Sequence, residues 1–235
     1  WSSDVCSSDL KRSTAEILSF FGVHQPLTPI GRYLKALALQ DEGRVKEAAD
    51  LIRKSWREDS YSAEIESDIL ERFDEAFTPA DHRERVETLI AQENWAAAQR
   101  TAEIAQGAVL SLAKIRIAIG KRDVDAEKLL KAAPGTLRNE PFFSLSEAQF
   151  LRRADRLDEA LQALQRLPKD QTPPRPDEWW TERRIIARKL LDLGEPALAY
   201  KLCAEHSAQA NDQRIEAEFH AGWIALDRKS TRLNS

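Results

Sequence analysis

Cysteine is nearly absent. The chain has two, Cys6 and Cys203, and Cys6 falls in a terminal segment that is set aside below. One remaining thiol can build neither an internal disulfide nor a cysteine metal site, and it leaves the redox compartment open. Glycine is scarce, at 8 of 235 residues, and no long stretch alternates apolar with polar side chains. Both facts argue against strands. Positive charge is not in excess: 35 basic residues face 39 acidic ones, with a net charge of -4 and a pI near 5.7. That balance argues against nucleic acid or an anionic membrane surface as the main partner. No run of about 18 apolar residues occurs, so no segment reads as a membrane span.

The two ends are related to each other through their codons. One choice of codons for residues 1–10, WSSDVCSSDL, gives a DNA strand whose reverse complement encodes DRKSTRLNS in another frame, and that string is residues 227–235. Two unrelated natural termini would not share one DNA segment. The ends therefore read as translated sequencing adapter, to be excluded from fold reasoning. Asp4, Asp9 and Asp227 cancel against Arg228, Lys229 and Arg232, so the remainder keeps the same net charge. The expected protein is residues 11–226, incomplete at both ends.

Ala, Leu, Glu, Arg and Lys dominate these residues, a helix-favouring composition. Thr78-Pro79-Ala80-Asp81 puts a capping hydroxyl before a proline at the first helical position and a carboxylate in the first turn, so a helix is expected to begin there. Ser144 with Glu147 has capping-box spacing and predicts another helix start, while Pro134-Gly135 closes the helix before it.

Self-similarity decides the expected architecture. Five segments, ALALQDEGRVKEAADLI, LIAQENWAAAQRTA, IAIGKRDVDAEKLL, LRRADRLDEALQAL and LLDLGEPALAYKL, each run from an apolar helix end through a short polar turn to an alanine. The alanines are Ala48, Ala98, Ala126, Ala160 and Ala199. A small residue at that point lets a second helix cross closely over its predecessor, as in tetratricopeptide-like solenoids. The intervals between them are 50, 28, 34 and 39 residues, too uneven for a regular array. The expectation is an all-α, irregular superhelix of antiparallel helix pairs. The proline-rich stretch from Lys169 to Pro176 predicts a loop near 168–176. Beyond it, Trp179, Ile186, Leu190 and Leu193 share one helical face, Trp180, Ala187 and Leu191 the next, with Glu182, Arg183, Arg184 and Lys189 elsewhere.

Candidate chemistry is thin. His24, His82, His206 and His220 lie at no helical zinc spacing from one another or from a cysteine, and no metal is expected. G-x-S-x-G, Walker A and dinucleotide fingerprints are missing. Glycosidic cleavage uses tuned Asp or Glu, but Glu64, Glu66, Asp68, Glu71 and Asp74 are spaced as a solvated helix face. Trp56, Trp95, Trp179, Trp180 and Trp223 could stack on sugar rings; at helical spacing among Leu and Ile they read as core anchors. No catalytic, cofactor-binding or metal residue is assigned.

The segment DEWWTERRIIARKLLDLGEPALAYKLCAEHSA from Asp177, followed by EAEFHAGWIAL at Glu216 to Leu226, resembles the soluble lytic murein transglycosylases, especially alphaproteobacterial forms. Trp179, Trp180, Glu182, Arg183, Arg184, Ala187, Arg188, Leu190, Leu191, Gly194, Ala199 and Tyr200 carry the first part. Glu218, Phe219, Ala221, Gly222, Trp223, Ile224, Ala225 and Leu226 carry the second. Phe77 to Arg100 is similar at lower specificity, and before Ser60 the likeness is compositional. The resemblance implies a periplasmic enzyme that cleaves peptidoglycan glycan strands between N-acetylmuramic acid and N-acetylglucosamine, leaving an anhydro-muramoyl end and needing no cofactor. It also implies that one glutamate in a C-terminal lysozyme-like domain does the chemistry. No position here matches that motif, so residues 11–226 correspond to the non-catalytic superhelix, whose implied partners are the glycan strands and that domain. The rival expectation is a tetratricopeptide-like scaffold binding a protein segment. Because residues 11–226 read as truncated, the helix from Asn211 to Leu226 is expected to lack its following partner and to expose Phe219, Trp223 and Leu226.

Overall fold

The computed structural model describes residues 13–167 and 171–233, and every regular element among them is helical. The chain divides into two units, Trp1–Ile117 and Ala118–Ser235. The first holds α1 (Thr14–Val23), α2 (Pro29–Asp41), α3 (Val45–Glu58), α4 (Ala63–Phe73), α5 (Pro79–Ala91) and α6 (Trp95–Ala105), with a 3-10 turn over Asp74–Ala76. The division falls within α7 (Gly107–Lys121). The second unit holds α8 (Ala126–Lys131), a 3-10 turn over Gly135–Asn139, α9 (Pro141–Arg153), α10 (Leu157–Leu164), α11 (Pro176–Asp192), α12 (Pro196–Ala204) and α13 (Asn211–Leu233). The expected all-α stack of helix pairs is present: α2 packs on α3, α5 on α6, α9 on α10, α11 on α12, and α12 on α13.

The turn that joins each pair is one device used repeatedly. Gly43, Glu93, Arg122, Asp155 and Gly194 all adopt left-handed backbone, with φ of 78°, 57°, 57°, 62° and 76°. In each case the next N–H reaches back to a helix carbonyl: Arg44 to Leu39, Asn94 to Leu89, Asp123 to Ala118, Arg156 to Leu151 and Glu195 to Leu190, at 2.8–2.9 Å. This closes the Schellman-type C-cap, which satisfies carbonyls that the helix end would leave unpaired. The alanine follows four or five residues later, and all five alanines are at most 2% exposed. Without a side chain beyond Cβ at the crossing, the paired helices approach closely and larger residues interdigitate around the contact.

Three of the five left-handed positions carry a side chain, and this makes a testable contrast. A non-glycine residue in this region costs about 1–2 kcal/mol, part of which glycine returns as greater freedom in the unfolded chain. Glu93→Gly, at an exposed site, is expected to stabilise the chain by about 0.5–1 kcal/mol. Gly43→Ala is expected to destabilise it by about 1 kcal/mol, although a Cβ there meets nothing within 4 Å. Urea titration of both variants checks the opposed signs; equal signs would mean that backbone conformation is not what these positions select.

Local start signals fare differently. Thr78 caps α5 as expected: its backbone N–H and hydroxyl donate to Asp81 Oδ2 at 2.8 and 2.7 Å, with Pro79 in the first turn. Ser144 does not open a helix. It is buried inside α9, which starts at Pro141 after Glu140, because a proline at the first helical position takes precedence three residues earlier. Residues 168–170 of the expected loop lie outside the described residues; 171–175 are irregular, and Pro176 already belongs to α11.

Among the described residues the apolar interior of the first unit includes two clusters. One gathers Tyr33, Leu39, Ala48, Ile52, Trp56 and Phe73; the other gathers Val86, Leu89, Ala97, Ala98, Ala102 and Ala113. The second unit has one larger cluster built on Leu145, Leu164, Trp179, Trp180, Ile186 and Leu190. Leu193, expected on the buried face of α11, is 66% exposed, because it is the C-cap residue beyond the last helical turn.

Candidate functional site

The buried charges are where chemistry would have to reside, and each sits on an apolar helix stripe. In α5, Arg85 belongs to the stripe of His82, Val86 and Leu89 and has no exposed surface. Its Nη1 donates to the carbonyls of Trp56 and Asp59 at 2.6 and 2.7 Å. Its Nη2 donates to Glu66 Oε1 at 2.8 Å and its Nε to Thr101 Oγ1 at 3.3 Å. The guanidinium carbon lies 3.9 Å from the centre of the Trp56 ring, a cation–π stack. Burial lowers the pKa of Arg85, and the Glu66 carboxylate counteracts it. The second oxygen of Glu66 accepts from Arg100 Nε at 2.8 Å.

Glu66 therefore corrects the expectation of a wholly solvated face on α4. It lies three residues before Ile69 and seven before Phe73, on the buried stripe, and is 5% exposed. Glu64, Glu71 and Asp74 are exposed as expected, and Asp68 pairs with Arg72 at 2.9 Å. Both oxygens of this buried carboxylate are taken by arginines, which leaves neither free to meet a substrate atom as a general acid must.

Around this cluster the same logic repeats. Arg32 grips Asp59 through Nε and Nη2 at 2.6 and 2.5 Å. Ser55 joins Asp59 and Tyr61. Burial pushes the Tyr61 phenol up to about 12. His82 accepts from Trp56 Nε1 at Nδ1, 3.2 Å away, which requires the neutral ring with its proton on Nε2. Burial lowers its pKa in the same direction. Arg116 of α7 pairs with Glu87 of α5.

In the second unit, polar and aromatic residues of α11 form the ties to neighbouring helices. Trp179 and Trp180 have no exposed surface. Trp180 Nε1 donates to Glu216 Oε2 at 3.1 Å, and Arg184 Nη1 donates to both Glu216 oxygens at 2.7 and 2.6 Å. The WWTERR segment on α11 is thus bonded to the first residue of the EAEFHAGWIAL segment on α13. Glu182 is 2% exposed and accepts from Arg152 of α9. Asp177 Oδ1 accepts from the backbone N–H groups of Gln209 and Ala210, fixing the approach to α13.

Trp56, Trp179 and Trp180 are core anchors as expected; Trp95 is half-buried and Trp223 is 53% exposed. Phe219 and Leu226 are also exposed, together with Ile215, while Ala217 and Ile224 on the same helix are buried. α13 thus packs one face and presents the other. His24 is exposed, and His206 and His220 are half-buried beside Trp180, with ring centroids 6.1 and 6.0 Å away. Among the described residues no three His, Cys, Asp or Glu side chains group as metal ligands do. Burial raises the Cys203 thiol to about 11, so it stays protonated and unreactive at neutral pH. No described helix is long and apolar enough to cross a membrane.

The sequence reading did not single out Arg85, Arg32, Arg116, Asp59 or Glu216. A signal existed for some of them: a charged residue at i, i+3 or i+4 from core apolar residues must find a partner once buried. The partner's identity was not legible, because it comes from another helix 19 residues away for Arg85–Glu66 and 32 for Arg184–Glu216. No protein-family model, no curated protein and no solved structure matches this chain.

Proposed function

We propose that the chain is a non-catalytic helical scaffold of a periplasmic peptidoglycan lytic transglycosylase, acting on glycan strands through a catalytic domain that residues 11–226 do not contain. The observation that carries this reading is the use made of Trp180, Glu182, Arg184 and Glu216. These belong to the family-like segments, and every one is occupied in tying helix to helix. Side chains spent on packing serve shape and leave chemistry to another domain.

The exposed stripe of α13 supports the same reading. Ile215, Phe219 and Trp223 recur every four residues and Leu226 follows three later, all more than half exposed. In a stack of helix pairs such a face is where the next element lies.

The test is to read the source gene past the codon for Leu226. A lysozyme-like domain with a candidate catalytic glutamate is the expected continuation, and the full-length product should release anhydro-muropeptides from isolated peptidoglycan. The present chain alone should release none, as judged by mass spectrometry. Further helical repeats followed by a stop codon would replace this reading with a protein-interaction scaffold.

A further inference from the structure

One groove of the second unit carries chemistry that packing does not consume. It encloses about 510 Å³, within the range of roughly 300–1,000 Å³ for small-molecule sites. Leu161 and Leu164 of α10 and Leu198 and Leu202 of α12 give it apolar lining. The polar lining comes from Arg183 of α11, Lys201 of α12, and His206 and Ser207 in the connection to α13.

Three of those polar groups hold a buried atom with no hydrogen-bond partner among the described residues: Arg183 Nε, His206 Nδ1 and Ser207 Oγ. Such atoms occur elsewhere too, Trp179 Nε1 and Arg184 Nε among them, but none belongs to a residue lining another described groove, whereas three lie on residues lining this one. All three can donate, the histidine in its Nδ1–H form. Among the described residues Arg183 is bonded through Nη1, to the backbone carbonyl of Glu205, and burial lowers its pKa. Lys201 adds a second positive charge. Glu205 is the one carboxylate among the described lining residues and opposes them. Gln165, Gln171 and Gln209 add amide donors and acceptors.

Unpartnered donors on residues lining one groove, two cations and an apolar wall select an anion with an apolar body. We infer that this groove binds the carboxylate of an N-acyl amino acid with an apolar side chain, a chemistry shared by a peptide C-terminus and a free N-acyl amino acid. Arg183 and Ser207 hold the carboxylate, Lys201 attracts it, and the leucines receive the side chain. The site is independent of the scaffold reading, which stands or falls on the continuing gene.

NMR titration of the isotopically labelled chain tests it, with N-acetyl-leucine, N-acetyl-leucinamide, acetate, inorganic phosphate and a short peptide ending in leucine. N-acetyl-leucine is expected to saturate at millimolar concentration or below and to shift the signals of Lys201, His206 and Ser207. The amide, which lacks the charge, and acetate, which lacks the side chain, are each expected to bind at least about tenfold more weakly. Arg183→Gln should weaken binding at least about tenfold. Because Arg183 also braces the backbone of Glu205, Lys201→Gln and Ser207→Ala accompany it, each expected to weaken binding by about two- to tenfold with an unchanged fold, while Glu205→Gln tightens it. Tighter binding of the peptide assigns the site to a C-terminus, and equal or weaker binding assigns it to the free acid; either supports the inference. It is overturned if acid and amide bind alike, if phosphate matches N-acetyl-leucine, if no carboxylate shifts the groove signals, or if Lys201→Gln and Ser207→Ala leave affinity unchanged.

Discussion

Replacing Arg85 by methionine is expected to destabilise the chain by about 3–5 kcal/mol, the range for removing one partner of a buried charge pair. The expectation follows from how many groups depend on that one guanidinium. The carbonyls of Trp56 and Asp59 lose their donors, and each buried acceptor left without one costs about 1–3 kcal/mol. Glu66 keeps only Arg100, whose side chain is 40% exposed. The ring of Trp56 loses its stacked cation. Arg85→Lys restores the charge and should recover only part of the loss, since an ammonium cannot span two carbonyls, a carboxylate and a hydroxyl in the plane of one fork. Arg85→Met combined with Glu66→Leu should be more stable than Arg85→Met alone, because it removes the buried carboxylate left with half its partners. Urea unfolding with an unchanged slope would measure this; a loss below about 1 kcal/mol in Arg85→Met would mean that water reaches the cluster.

Trp180→Ala is the second large effect, expected at about 3–5 kcal/mol from the cavity left by a fully buried indole. Its neighbour provides the control. Trp179 is equally buried, yet its Nε1 has no hydrogen-bond partner among the described residues, whereas Trp180 Nε1 donates to Glu216. Substituting phenylalanine at either site removes similar volume. Trp180→Phe should cost about 1.5–3 kcal/mol more than Trp179→Phe, the worth of a hydrogen bond to an ionised group. Glu216 retains Arg184 in both variants, so the difference isolates the indole bond. Thermal unfolding followed by far-ultraviolet circular dichroism checks the order; equal losses would show that the Trp180–Glu216 bond contributes nothing beyond packing. Because Trp180 bonds α11 to α13, its loss should also loosen α13, seen as faster amide exchange along residues 211–226.

Both expectations rest on a buried side chain bonded to a partner on another helix. Arg85, Glu66 and Glu182 are charges placed on apolar stripes, and the helices carrying them can bury those stripes only with the matching charge in position. The pairing then discriminates against shifted packings of otherwise similar helix pairs, a role in register that the Arg85 and Glu66 variants address through the sharpness of their unfolding.

Much of the architecture was legible because it is local. Helix type follows from composition and from the absence of alternating runs; the cap at Thr78 follows from a hydroxyl, a proline and a carboxylate within four positions. The five alanines were readable because a close crossing needs a small residue at a set distance from the turn, and all five are buried. Ser144 misled because its spacing to Glu147 resembles a cap, while the proline at 141 had already started the helix. What residues alone could not specify was which charges would meet. Ionic pairing is decided by which faces of successive helices are brought together, and that depends on crossing geometry that no single segment encodes. The exposure of Phe219, Trp223 and Leu226 was expected. The meeting of Arg183, Lys201, His206 and Ser207 at one groove was not, because it arises only when α11 packs on α12 and the segment leading into α13 lies beside them.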